Sequence, residues 1–192
     1  MNLDEYTKLA IRTESQIETV TVNRELLEAT INGMAAFGQI LDQIKKHVYY
    51  GKAYNIDELS QCLETGANSI SAATIATVNN PGENECDVHE LNTRVFHSIS
   101  GIATESVELL EVLQKVLAGE EIDLVNALEE FYDINWYQAI GIDELHGDWE
   151  GGLANNIAKL KARFPDKFDS DQAINRNKEA EREILEKMVE KQ

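Results

Sequence analysis

Glu105-Ser-Val-Glu108 and Glu130-Phe-Tyr-Asp133 each place two carboxylates three residues apart inside an otherwise apolar stretch. On an α-helix that spacing puts both acids on one face, with Cβ atoms roughly 5–6 Å apart. The connection between the two stretches is short, which favours antiparallel packing and would bring four acids into one cleft. Four unneutralised carboxylates at that range repel, and burying any of them is costly. A hard divalent cation with oxygen ligands resolves the conflict, and Mg²⁺ does so while keeping waters and engaging phosphates. Either pair alone reads equally as a solvated helix face. The specificity lies in their joint occurrence, with apolar residues tight around both and Trp136-Tyr137 following the second.

The elements that must position these acids are helical. Apolar residues recur at three- and four-residue steps, as in Leu26, Leu27, Ile31, Met34, Ile40, Leu41, Ile44 and again in Val95, Ile99, Ile102, Leu109, Val112, Val116. No convincing period-two strand stands out, so the chain is expected to be all-α, a helical bundle. Helices are expected near 4–13, 22–49, 57–78, 88–118, 122–145, 151–163 and 171–190. The only prolines, Pro81 and Pro165, sit where a helical pattern has ended, and 79–84 (Asn-Asn-Pro-Gly-Glu-Asn) reads as a turn between two halves. The last segment, rich in Glu, Lys and Arg, reads as a surface helix or a dimer arm.

The halves look alike. A constant offset of 68 sets Gly33 on Gly101, Ala35 on Ala103, Ile31 on Ile99, Leu41 on Leu109 and Gly51 on Gly119; after a two-residue slip Glu64 falls on Glu130. Phe37 and Ile40 then occupy the positions of Glu105 and Glu108, and Ala67 that of Asp133. The chain therefore reads as one domain over 1–192, an internally duplicated pair of helical hairpins. Residues 24–77 form a degenerate first copy, 94–145 the active copy, and 151–190 the closing helices. The copies are expected to pack about an approximate two-fold axis, with Phe37, Ile40 and Ala67 clustered and dry.

Seventeen basic against 35 acidic residues give a net charge of −18. That excludes DNA and RNA polymers as partners, which need clustered Lys and Arg, but not a small phosphorylated substrate held with the help of a metal. One local basic cluster exists: Lys159, Lys161, Arg163 and Lys167. The apolar runs are too short to cross a bilayer and the N-terminus lacks a signal peptide's basic start, so a soluble, cytoplasmic protein is expected. Cys62 and Cys86 lack a C-x-x-C spacing and read as reduced, structural thiols. The four histidines, His47, His89, His97 and His146, show no metal-ligand spacing.

These residues together resemble the all-α nucleoside triphosphate pyrophosphohydrolases of the MazG type, a superfamily that includes dimeric dUTPases and phosphoribosyl-ATP pyrophosphohydrolases. Gly101-Ile-Ala-Thr-Glu-Ser-Val-Glu108 is similar to the family's G-L-A-x-E-x-x-E helix, and Glu129-Glu-Phe-Tyr-Asp-Ile-Asn-Trp-Tyr137 to its E-E-x-x-D-x-x-W-Y motif. Residues 154–168 resemble its closing element, and 4–13 the opening of its short, often phage-borne members. The resemblance is dense over 94–168 and thinnest over the first copy. Thr104 stands where some members carry a further acid, and Phe131-Tyr132 where Leu-Gly is usual.

The resemblance implies Mg-dependent hydrolysis of a (deoxy)nucleoside triphosphate between the α- and β-phosphates, in a bacterial or phage-infected cell. Glu105, Glu108, Glu130 and Asp133 would hold Mg²⁺, with Mn²⁺ as a substitute, and Glu105 or Glu129 would take a proton from the attacking water. Lys159 and Arg163, four apart on one helix face, would pair with phosphates, with Asn156 one turn earlier. Trp136 and Tyr137 read either as base-stacking or as core aromatics, and Lys159 and Arg163 alternatively as a plain solvated face. Association into a homodimer or tetramer is expected. Two other readings stay open: a phosphoribosyl-ATP or other nucleotide-derivative hydrolase on the same scaffold, and a non-catalytic helical oligomerisation module.

Overall fold

The computed structural model describes residues 1–78 and 85–186. Its α-helices are α1 (Leu3–Ala10), α2 (Arg24–Tyr50), α3 (Ile56–Val78), α4 (Thr93–Leu117), α5 (Leu124–Glu144), α6 (Trp149–Arg163), α7 (Ser170–Ile174) and α8 (Lys178–Glu186). A 3₁₀ turn, Ile11–Thr13, follows α1. The chain is all-α, as its periodicity implies, apart from one small ribbon. The turn expected over 79–84 and the end of the last expected helix, 187–190, lie outside the described residues.

Three expectations change. The helix expected from 22 starts at Arg24, because β1 (Thr21–Asn23) pairs antiparallel with β2 (Glu85–Asp87), Val22 opposite Cys86. Three residues are too few for a period-two pattern to be read. The helix expected from 88 begins at Thr93, where Asn92 caps it by accepting the N–H groups of Arg94 and Val95, both at 3.0 Å. The helix expected over 171–190 is broken between α7 and α8.

The residues group into two compact units. The first holds Met1–Thr19, His89–Ala158 and the segment from Glu183; the second holds Val20–Val88 and Lys159–Arg182. Each is built on one helical hairpin, α4/α5 in the first and α2/α3 in the second. Ser98 and Gly101 on α4 meet Tyr137 on α5, while Arg94 meets Glu144, so the pair runs antiparallel. In the second unit Gly33 meets Ser69, Gln39 meets Cys62 and Gln43 meets Glu58, again antiparallel.

The same offset of 68 that aligns the sequences carries the Gly33–Ser69 approach onto Gly101–Tyr137. It also carries the left-handed Gly51 (φ +66°) after α2 onto Gly119 (φ +93°) after α4. Both glycines end the first helix of a hairpin in a conformation that a Cβ disfavours. The glycine correspondences thus recur at the offset of 68, and Ser69 opposite Gly33 as Tyr137 is opposite Gly101 carries that offset into α3 and α5, in place of the two-residue slip that sets Glu64 on Glu130.

Small residues make these hairpins close. Ala29, Gly33 and Ala36 are the buried residues of α2, and Ser98, Gly101 and Val112 those of α4. The larger apolar residues of the α2 periodicity, Ile31, Met34, Leu41 and Ile44, are exposed. Helices meeting through Ala and Gly approach too closely to seat Leu or Ile between them. In the first unit α1 and α5 add a second layer over Ala10, Ala139 and Ile140, the last two fully buried.

One ion network ties the first unit. Arg94 donates from Nε to both oxygens of Glu14 (2.9 and 3.0 Å), from Nη1 to Glu144 (2.8 Å) and pairs through Nη2 with Asp143 (2.9 Å). The Glu14 side chain is only 2% exposed, so its charge depends on that guanidinium. A parallel arrangement in the second unit seats Glu181 of α8 between Arg163 (Nε to Oε1, 2.8 Å) and Arg176. The two guanidiniums, Arg176 first, hold the Glu181 carboxyl down to about 2.

Arg94→Leu should cost about 3 kcal/mol in urea denaturation, because Glu14 is left buried without its cation. Adding Glu14→Leu should recover much of that loss. The Glu181 carboxyl lies below its ordinary value of 4.5, so its stabilisation is complete above that value and drains as pH falls toward about 2. Wild type should therefore lose Tm across that acid window more steeply than Glu181→Gln, by thermal melts in a pH series.

Candidate metal centre

Glu105 projects from α4 and Glu130 and Asp133 from α5, and their carboxylate oxygens all lie within 4.8 Å of one another. Glu130 is buried, 4% exposed, Glu105 is half-buried and Asp133 reaches solvent. The close approach that permits this is one turn away. A Cβ on Gly101 would sit 2.1 Å from the Tyr137 ring, so the ring lies directly over the glycine backbone. Tyr137 follows Asp133 by four residues on the same face of α5.

Electrostatics mark the cluster. Burial, then a hydrogen bond shared with Glu130, then the charges of Glu108, Asp133 and Glu130 push the Glu105 carboxyl above its ordinary value. Burial and then the charges of Glu105, Asp133 and Glu108 push the Tyr137 phenol up. Tyr6 of α1 is raised by burial and then by Asp133. Asn126 donates its amide N–H to Glu130, and Thr104 donates to Glu105 at 3.4 Å while satisfying the Gly101 carbonyl at 2.9 Å. Among the described residues no Lys or Arg forms an ion pair with Glu105, Glu108, Glu130 or Asp133.

The other sequence-derived positions divide. Glu108 acts on Glu105 through its charge but lies outside the three-residue cluster and is exposed. Glu129 is exposed on α5. Trp136 is a structural anchor: its indole N–H donates to the Ala10 carbonyl (3.1 Å) and the Thr13 hydroxyl (3.2 Å), and its ring meets His97 and Tyr137 edge-on. These contacts dock α1 on α5 and accord with the core-aromatic reading of Trp136. Asn156 is exposed on α6 within the first unit. Lys159 and Arg163 belong to the second unit, where Arg163 is committed to Glu181 rather than presented as an open phosphate ligand.

The residues fit a hard divalent cation. Every donor in the cluster is a carboxylate oxygen, the set suited to Mg²⁺ or Mn²⁺. Among the described residues Glu130 combines a buried carboxylate with one amide donor, Asn126, and two further acids, Glu105 and Asp133, an arrangement that repulsion and desolvation both oppose until a cation is present.

The first copy differs from expectation. Phe37 is 47% exposed, Ile40 half-buried and Ala67 exposed, so they do not form a dry cluster. The Phe37 ring instead lies along Gly66, with a Cβ there only 2.9 Å from the ring tip. A flat aromatic over a glycine leaves no room for the three side chains to converge.

Two contributors escaped the sequence reading. Asn126 precedes Glu130 by four residues, a helical neighbour that the spacing alone could have flagged. Tyr6 left no such signal, because its place near Asp133 depends on how α1 packs on α5.

No family model, no curated protein and no solved structure matches the chain.

Mg²⁺ should raise the Tm of wild type in differential scanning fluorimetry beyond an ionic-strength-matched Na⁺ control, and Glu130→Gln should lose most of that rise. Without Mg²⁺, Glu130→Gln should be at least as stable as wild type, because a buried repulsive charge is gone. A Mg²⁺ response equal in both proteins would remove the cluster as the binding site.

Proposed function

We infer that the protein is a Mg-dependent nucleoside triphosphate pyrophosphohydrolase of the MazG-like kind, releasing pyrophosphate and a (deoxy)nucleoside monophosphate. The observation that carries this reading is the convergence of Glu105, Glu130 and Asp133 around a buried carboxylate with no basic partner among the described residues. Glu105, Glu130 and Asp133 would hold the cation, with Glu108 adding charge at the rim. The cation, when bound, supplies charge neutralisation for a polyphosphate and eases proton loss from water. The net charge of −18 makes such a counter-charge necessary for an anionic substrate.

Of the two carboxylates weighed as general base, Glu105 is favoured over Glu129. It stands within the cluster, whereas Glu129 is exposed outside it. Tyr137, kept protonated by the same acids, can donate a hydrogen bond to a substrate oxygen. Asn156, on α6 within the same unit as the acids, remains the phosphate-contacting candidate. Assembly into a homodimer or tetramer in a bacterial or phage-infected cytoplasm belongs to the same reading. The exposed outer face of α5, Leu124, Leu128, Phe131 and Tyr132, supplies apolar surface for it.

Pyrophosphate release should be measured with Mg²⁺ across the common nucleoside and deoxynucleoside triphosphates and phosphoribosyl-ATP. At least one substrate should turn over, and Glu130→Gln and Asp133→Asn should each lower kcat about 100-fold or more. Turnover confined to phosphoribosyl-ATP would select the neighbouring activity. A wild type inert toward all of them would make the fold a non-catalytic module.

A further inference from the structure

The second unit carries a groove of about 440 Å³ between α2 and α3 that the acid cluster does not share. That volume lies within the range of small-molecule pockets. Its floor is made of small residues, including Ala36 and Cys62, 4% and 7% exposed, and the segment Lys52–Asn55 closes one end. Five carboxamides line it: Asn32, Gln39, Gln43, Asn55 and Gln61.

Gln43 is fixed as a wall, accepting the Asn55 N–H at 3.0 Å and donating to Glu58 at 3.3 Å. Gln39 accepts the Cys62 thiol at 3.1 Å, which orients its amide and leaves its NH₂ without a partner among the described residues. The amides of Asn32 and Gln61 have no side-chain partner among the described residues either.

The groove's ionisable side chains cancel, Lys46 and Lys52 against Asp42 and Glu58, and Lys46 pairs directly with Asp42. A charge-balanced site in a chain of net charge −18 selects a neutral group rather than an anion. A carboxamide offers a donor and an acceptor side by side, the pattern that pairs bidentately with a nucleobase edge. The small side chains of Ala35, Ala36 and Ala53 leave room beside the carboxamides for a planar ring.

We propose that this carboxamide groove binds a nucleobase, carried as a free nucleoside or as a nucleotide whose phosphates contribute little. The site stands apart from the proposed hydrolase reading and does not require a metal.

Calorimetric titration in EDTA with uridine, cytidine, adenosine and guanosine, and with their triphosphates, tests it. At least one nucleoside should bind with Kd on the order of 0.1 mM, the range of a ligand of that size. Its triphosphate should bind within about threefold of it, since a neutral groove adds little for phosphate. Gln61→Leu, at an exposed position, and Gln39→Leu should each weaken binding about tenfold with an unchanged far-UV spectrum. Glu130→Gln should leave it unaltered. Absence of nucleoside binding, binding of triphosphates alone, or binding lost in Glu130→Gln but kept in both glutamine variants would each overturn the proposal.

Discussion

A buried carboxylate without an opposite charge is the constraint around which the first unit is arranged. Glu130 sits beneath solvent with Glu105 and Asp133 at hand and a single amide, from Asn126, donating to it. Nothing in elementary electrostatics favours that arrangement in isolation. The helices are nevertheless brought together at that level by Gly101 beneath Tyr137, with Ser98 bonded to the Tyr137 carbonyl at 2.8 Å. The packing energy of the α4/α5 hairpin thus offsets the repulsion of the acids and keeps them convergent. Preorganising like charges in this way is a recurrent signature of sites whose chemistry begins when a counter-charge arrives.

Elsewhere the chain resolves its buried charges internally. Glu14 has Arg94, and Glu181 has Arg163 and Arg176. Both arrangements are near-complete: a forked guanidinium satisfies two or more carboxylate oxygens at once. The contrast gives the acid cluster its meaning. Among the described residues, Glu130 in the cluster on α4 and α5 is the buried acid that no arginine pairs.

Much of this was legible in the sequence, and the parts that were not share a cause. Glu105, Glu130 and Asp133 were readable because helical spacing alone fixes a shared face, and the Gly33/Gly101 and Gly51/Gly119 correspondences because turn and close-contact glycines keep their positions. The partner of the Trp136 N–H was not readable because it lies on α1, more than a hundred residues away in sequence. The partner of Arg163 was not readable for a similar reason: its acid arrives from α8, beyond a break in what reads as one continuous helix. The buried face of α2 was not legible, since periodicity shows where large side chains recur but not that alanines and glycines hold the hairpin's close contact.

Gly33 and Gly101 are the same position in two copies, yet their freedom to change differs. At Gly33 an added Cβ would lie 3.3 Å from the Ser69 Cβ, a contact a small adjustment relieves; at Gly101 it would fall inside an aromatic ring. The first glycine is therefore open to replacement by alanine or serine. The second is bound to its aromatic partner, and residues 101 and 137 should vary together or not at all. The pair is a covariation signature that separates the acid-bearing hairpin from its copy without reference to the acids themselves.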